Sequence, residues 1–183
     1  SQSPRRQQLL EGIGLKFRVA PQKEIEEVYP SMLKREEIPL YLAQMKAVHF
    51  APMMKENSLL ITADTIVWLN EEVIGKPYDA EDAVNMLMKI QGNMHEVFTG
   101  VCLKTYHREK LFYASTKVYF RKMSMDEIRF YADNYKPYDK AGAYGVQEWI
   151  GYVGVEHIEG SYYNVMGMPL QKLYAELMNI VKP

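Results

Sequence analysis

Cysteine is nearly absent from this chain of 183 residues: Cys102 stands alone. That excludes a disulfide framework and a zinc site built on paired cysteines. A single thiol fits a reducing compartment, and the expectation is a cytoplasmic protein. Long apolar runs are missing as well. No stretch of about 18 apolar residues occurs, so nothing reads as a membrane-spanning helix. The segment SQSPRRQQLL has no apolar centre of the kind a secretory leader needs. An excess of one charge is also lacking. Lys and Arg number 22 against 23 Asp and Glu, a net charge of −1. A dedicated nucleic-acid binder carries a clear positive excess, so that class is disfavoured. A small polyphosphate ligand is not, because a few converging cations suffice to hold one.

What remains is an ordinary globular balance, 48% hydrophobic and 25% charged. The length suits one domain over 1–183, with or without two lobes. Nine prolines and eleven glycines punctuate the chain, mostly at element ends. Leu9, Leu10 and Ile13 recur at helical spacing, so Arg5 to Gly14 reads as a short helix. Phe17 to Ala20 reads as a short strand, and Gln22 to Arg35 as a polar, acidic loop. Ile38, Leu42, Met45 and Phe50 place a helix over Glu37 to Met54. Ser58 to Leu69, SLLITADTIVWL, is apolar and β-branched, the pattern of a buried strand. Asn70 and Glu71 turn the chain into a Gly75-Lys76-Pro77 segment. Asp79 caps a helix that runs to Ile90 and is closed by Gly92. His95 to Tyr106 and Leu111 to Lys122 form a hairpin about a turn at His107 to Lys110. Ser124 and Glu127 make a capping box for a helix running to about Asn134. A Gly-rich stretch, Asp139 to Gly145, precedes a strand at Tyr152 to Ile158, and Pro169 opens a final helix. The alternation predicts an α/β fold with a mixed β-sheet.

Several clusters carry potential chemistry, and each has a plainer reading beside it. Ser3, Arg5 and Arg6 sit at a helix mouth, where unpaired N–H groups and guanidinium forks suit an anion. The plainer reading is a solvated basic helix start. Asp64 interrupts an apolar strand, with Thr65 beside it. A carboxylate there is costly unless it is paired or coordinates a metal. The plainer reading is a satisfied salt bridge. Lys76 in G-K-P resembles part of a phosphate loop, although the full Walker pattern is absent, and it is equally a turn lysine. In Asp139-Lys140-Ala141-Gly142-Ala143-Tyr144-Gly145-Val146-Gln147, Lys140 suits phosphate and Gln147 suits a base edge, or the segment is a structural loop. Glu24, Glu26 and Glu27 form an acidic run and Lys46 lies on the following helix, both open to a solvated reading. His95 and Cys102 have no spaced partners and read as structural. The aromatics of Ser161-Tyr162-Tyr163-Asn164 read as core and turn.

The order of these motifs is more specific than any one of them. S-x-S-P-R-R, a carboxylate run, A-D-T-x-V, G-K-P, G-x-x-H-x-V-x-T-G-V, D-K-A-G-A-Y-G-V-Q and G-S-Y-Y-N-V-x-G-x-P run from Ser1 to the last helix. Together they resemble the Maf family over nearly the whole chain. The resemblance implies a two-lobed α/β fold related to the inosine triphosphatases, with helices flanking the sheet and the site in the cleft between lobes. It implies hydrolysis of nucleoside triphosphates between the α- and β-phosphates, with Mg²⁺ or Mn²⁺ as cofactor, and a homodimer. Carried over by motif, Asp64 is the catalytic acid, and Glu27 and Asp64 hold the metal. Ser3, Arg5, Arg6, Lys46, Thr65, Lys76, Lys140 and Gln147 meet the substrate. Arg5, Thr65 and Gln147 match positions linked to nucleotide choice and resemble the dTTP/UTP branch. Family members usually enter S-x-S-P-R-R from a short apolar strand, and here the sequence starts at Ser1, so that strand is either trimmed or missing. Two rival readings accompany this one: a nucleotide-sensing regulator of septum formation, and a pyrophosphatase for methylated guanosine triphosphate.

Overall fold

The structure, a computed structural model, describes residues 2–21 and 25–180. In chain order its elements are α1 (Pro4–Gly12), α2 (Glu37–Phe50), β1 (Leu60–Leu69), β2 (Glu72–Ile74), α3 (Ala80–Ile90), β3 (Met94–Lys104), β4 (Glu109–Phe120), α4 (Met125–Tyr135), α5 (Trp149–Gly154), β5 (Val155–Glu159), α6 (Tyr162–Val165) and α7 (Leu170–Ile180). The strands form one sheet in the order β2-β1-β3-β4-β5. This is the α/β architecture, helices flanking a sheet, that the alternation of elements predicts. No helix among the described residues is long and apolar enough to cross a membrane.

Local chemistry explains most of the element ends. Pro4, whose fixed φ suits a first helical turn, opens α1. Helix α2 stops four residues short of the expected Met54, because Pro52 cannot continue it and a 3₁₀ turn at Ala51–Met53 follows. Asn70 and Glu71, at φ 50° and 64°, are the two left-handed residues that a tight hairpin turn requires. They fold the short strand β2 back antiparallel on β1, with Leu69 opposite Glu72. The Asp79 carboxylate accepts the Asp82 N–H at 2.9 Å and starts α3. In α4 the capping box is complete: Ser124 Oγ accepts from Glu127 N, and Glu127 Oε2 accepts from Ser124 N at 2.8 Å.

Besides the end of α2, three expectations fail. Phe17 to Ala20 is irregular, with Phe17 and Val19 exposed. A strand exists only by pairing, and no described strand takes up its hydrogen bonds. The β3–β4 turn lies at Thr105–Arg108, two residues earlier than expected, where Thr105 Oγ1 accepts the Arg108 N–H at 2.9 Å. The strand expected over Tyr152 to Ile158 is preceded by α5 and begins at Val155. Helix α5 is packed tightly on its own entry: a Cβ at Gly151 would sit 1.9 Å from the Val146 carbonyl oxygen. Strand β5 then pairs antiparallel with β4, Val118 opposite Ile158.

Two compact units make up the chain. One comprises Ser1–Thr65, Phe98–Ala114 and Gly167–Pro183, the other Ile66–Val97 and Ser115–Met166. In the first, Ala43 and Ala47 of α2 pack on Cys102 of β3, with Leu60 and Leu111 alongside. Here α2 comes down directly on β3, since a Cβ at Gly100 would lie 2.4 Å from the Pro39 carbonyl. In the second, Ala83, Leu87 and Ile90 of α3 and Ile128 and Tyr131 of α4 pack with Val67, Val97 and Val118 of the sheet.

Candidate active site

In the first unit, β1 carries Asp64 and α2 carries Lys46. Asp64 is 8% exposed. The Lys46 ammonium donates to Asp64 Oδ1 at 2.5 Å and pairs with Glu27 Oε1 at 2.6 Å. One cation therefore holds two carboxylates, whose oxygens lie within about 5 Å of each other by those two distances. The acidic residue singled out as Glu27 is thus the one that shares Lys46 with Asp64, while Glu24 lies outside the described residues. Among the described residues no group of three or more His, Cys, Asp or Glu is placed to hold a metal ion. Two carboxylates without imidazole or thiolate are the donor set of a hard ion such as Mg²⁺ or Mn²⁺, which takes one or two carboxylates and completes its shell with phosphate and water. On that chemistry Glu27 and Asp64 fit the expected metal.

Arg6 is held at three points. Its Nη1 donates to the Ala63 carbonyl at 2.9 Å, its Nη2 to Thr65 Oγ1 at 2.9 Å, and its Nε to the Gly167 carbonyl at 2.8 Å. The first two acceptors flank Asp64, so one guanidinium braces the strand on both sides of the carboxylate. The third is reached because Gly167, at φ 106°, adopts backbone that side chains disfavour. Burial holds the Arg6 pKa below its ordinary value, and the charge of Asp64 opposes this. Thr65 Oγ1 is also 2.9 Å from Thr99 Oγ1 of β3, a buried partner. Arg5 lies beside Arg6 in the first turn of α1, and its charge reaches that of Arg6. Ser3 is the N-cap by position, but its side chain makes no capping bond.

The second unit holds the remaining predicted residues on two loops tied together. The Gly142 N–H donates to the Gly75 carbonyl at 2.9 Å, joining the G-K-P segment to the D-K-A-G segment. Lys76 is exposed on the first loop. The second loop is bent by consecutive left-handed residues, Gly142 at φ 72° and Ala143 at φ 56°. Left-handed backbone at a buried alanine is strained, a cost that functional loops often carry. Lys140 is 8% exposed, its ammonium 2.7 Å from Asp139 Oδ1 and 3.1 Å from Glu148 Oε1. Gln147 Oε1 is buried without a hydrogen-bond partner among the described residues. An unpaired buried amide oxygen costs free energy that a ligand's N–H would recover.

Of the residues read as structural, His95 and Cys102 behave so, while Tyr162 and Tyr163, read as core and turn, are exposed. His95 is buried, with Nε2 2.7 Å from Tyr144 Oη, and burial lowers its pKa to about 3. It is neutral at physiological pH and props the tyrosine of the D-K-A-G-A-Y-G loop. Burial raises the Cys102 thiol to about 11, which leaves it protonated and unreactive. Tyr162 and Tyr163 are partly exposed on the one-turn helix α6, whereas Asn164 is buried and donates to the Val97 carbonyl at 3.0 Å. Sequence reasoning missed Thr99, Tyr131 and Glu148. Thr99 stands in the G-x-x-H-x-V-x-T-G-V motif, which could have pointed to it, whereas Tyr131 and Glu148 are ordinary residues that only a distant partner marks out.

A family model for Maf-like protein matches residues 1–180. The chain is 53% identical over 180 residues to a protein named dTTP/UTP pyrophosphatase from Phocaeicola vulgatus, covering 98% of this chain and 93% of that one. It is 52% identical over 180 residues to the protein of that name from Bacteroides thetaiotaomicron, with the same coverage. To the one from Porphyromonas gingivalis it is 48% identical over 179 residues, 97% of this chain and 90% of that one. With its motifs in place and matched almost from end to end, the chain belongs to the Maf-like protein family.

Proposed function

We propose that this protein is a nucleoside triphosphate pyrophosphatase acting on dTTP and UTP, releasing the monophosphate and pyrophosphate. The observation that carries the chemistry is the joining of Asp64 and Glu27 through Lys46 in a part-buried site. The substrate rests on three relatives of 48–53% identity that bear that name.

Water attacks the α-phosphorus and pyrophosphate leaves. Asp64 Oδ2 or Oδ1 accepts a hydrogen bond from the attacking water, orients it in line and takes its proton. Arg6, by fixing Ala63 and Thr65, keeps that carboxylate from drifting during the step. Glu27 and Asp64 would hold a divalent ion, which would supply positive charge near the phosphates and make the attacking water more acidic. Phosphoryl transfer depends on positioned positive charge more than on covalent chemistry. Lys46, Arg5, Lys76 and Lys140 are the cations proposed to meet the triphosphate, and Ser3 adds a donor at the start of α1. Gln147, with its unpaired buried oxygen, matches the N3–H that thymine and uracil share and that cytosine lacks. Thr65 is the second residue proposed for base choice.

The test is pyrophosphate release from a panel of nucleotides with Mg²⁺ or Mn²⁺, Asp64→Asn serving as control. Release is expected to be fastest with dTTP and UTP. The variant should lose about 10³-fold in turnover, the scale of a general base, while still binding nucleotide. Wild-type-like turnover in Asp64→Asn would remove the assignment of that residue. Release from a methylated guanosine triphosphate alone would keep the chemistry and change the substrate. Binding without release from any nucleotide would favour the sensing role. Gln147→Ala is expected to flatten the preference for dTTP over dCTP, and an unchanged ranking would end its role in base choice.

A further inference from the structure

Lys140 does not stand in its loop unaided. It is almost fully buried, yet its two carboxylate partners are unequal: the Asp139 side chain is 59% exposed and that of Glu148 is 24% exposed. Asp139 accepts the hydrogen bond from the ammonium, but an exposed pair is screened by water and holds little, so the less exposed Glu148 is the partner whose charge bears most on it. Glu148 is itself held from behind. The phenol of Tyr131, on α4, donates a short hydrogen bond to Glu148 Oε2. The same phenol oxygen accepts the Gly145 N–H at 3.0 Å. Tyr131 is fully buried and stacks on Tyr135, ring centroids 4.9 Å apart, so its hydroxyl has no freedom to leave. Gly145 must lack a side chain, since a Cβ there would lie 2.7 Å from Glu148 Cδ. Burial and the Glu148 charge together push the Tyr131 pKa far up, keeping it a donor.

We propose that Tyr131 and Glu148 are positioning residues that aim the Lys140 ammonium at the substrate's phosphates. The chain of contacts runs from the core through a phenol and a carboxylate to one buried cation, with both oxygens of Glu148 used: Oε2 for Tyr131 and Oε1 for Lys140. The ammonium donates a hydrogen bond to Asp139 Oδ1 and forms an ion pair with Glu148 Oε1. Neither residue touches substrate in this scheme. Both act through Lys140, and the inference therefore rests on the reading of Lys140 as a phosphate-binding residue.

A double-mutant cycle on the full chain tests it, with affinity measured calorimetrically for a non-hydrolysable α,β-methylene analogue of dTTP and for thymidine. Glu148→Gln is expected to weaken the triphosphate analogue about tenfold, the scale of one charge-assisted hydrogen bond, and to leave thymidine unchanged. Tyr131→Phe should weaken it in the same direction by a smaller factor. Glu148→Asp, which keeps the charge, should recover part of the loss. In a Lys140→Met background Glu148→Gln should have no further effect. Losses that simply add, or a thymidine affinity that falls in parallel, would show a general structural role and overturn the proposal. Lys140→Met binding the analogue as the wild type does would remove the phosphate reading of Lys140, and the positioning role with it. Melting temperatures of all variants identify any that fail to fold, and for those Tyr131→Phe carries the test.

Discussion

Arg6 holds the residues before and after Asp64 with separate N–H groups of one planar fork, and Gly167 with a third. A lysine at that position keeps the charge but offers a single point of attachment. Arg6→Lys is therefore expected to lower kcat by about 10²-fold, the effect of a small misplacement of a reacting group, with a lesser change in KM. Steady-state kinetics on dTTP measures it, and a change confined to KM would show that Arg6 binds substrate instead. His95 makes a prediction of a different kind. Its pKa falls from 6.5 to about 3 on folding, so the unfolded chain binds a proton that the folded one refuses. The stability this neutral ring allows is whole above pH 6.5 and drains away as the pH falls toward 3, at up to roughly 1.4 kcal/mol per pH unit. In His95→Gln, which can still bond Tyr144, the loss of stability between pH 6.5 and 4 should be shallower by that one proton. Urea titrations at several pH values read this directly.

Among the elements, the contact of α2 with β3 leaves no room for a side chain. Gly100 lies against backbone, the Pro39 carbonyl group and Leu40 N, which cannot move aside as a flexible side chain would. Gly100→Ala is expected to cost about 1–3 kcal/mol by overpacking, seen as a lower urea midpoint at constant slope. Ser124→Ala, which removes one half of the capping box of α4, should cost about 1 kcal/mol. The two sites differ in how visible they are beforehand. Ser124 and Asp79 act within three residues of themselves, so the starts of α3 and α4 were legible in the sequence, whereas the stop that Pro52 sets on α2 was overrun. Phe17 to Ala20 has strand composition, but composition provides no neighbour to pair with. Helix α5 was hidden for another reason, since the close folding of Gly151 onto Val146 at its own entry overrides a sequence that reads as strand. The site divides in the same way. Asp64 was legible because a carboxylate in an apolar run demands an explanation, and the ordered motifs carried Lys46, Lys140 and Gln147. The bracing by Arg6 was not legible, because its acceptors lie 57, 59 and 161 residues away in the chain. Tyr131 and Glu148 were hidden likewise, 17 residues apart on separate elements.

The molecule as a whole carries a net charge of −1 and keeps its useful cations in a few places. It should bind a nucleotide more firmly than it binds DNA, and a non-hydrolysable dTTP analogue at about 100 times its Kd should add roughly 2.7 kcal/mol of stability. For a chain of this size that corresponds to a rise in melting temperature of roughly 5–10 °C. Asp64→Asn should retain the rise, and its absence would mean that the residue serves binding. Removal of metal is a separate matter, and Lys46 decides it. Zinc fingers unfold under a chelator because nothing else answers the charge of their ligands. Here an ammonium tethered to α2 already sits between Glu27 and Asp64. The fold thus carries a charge that can stand in for a bound ion, and removal of such an ion is expected to leave the chain folded. EDTA should silence catalysis while leaving the melting temperature of the nucleotide-free protein where it was, and added Mn²⁺ should restore activity within the mixing time.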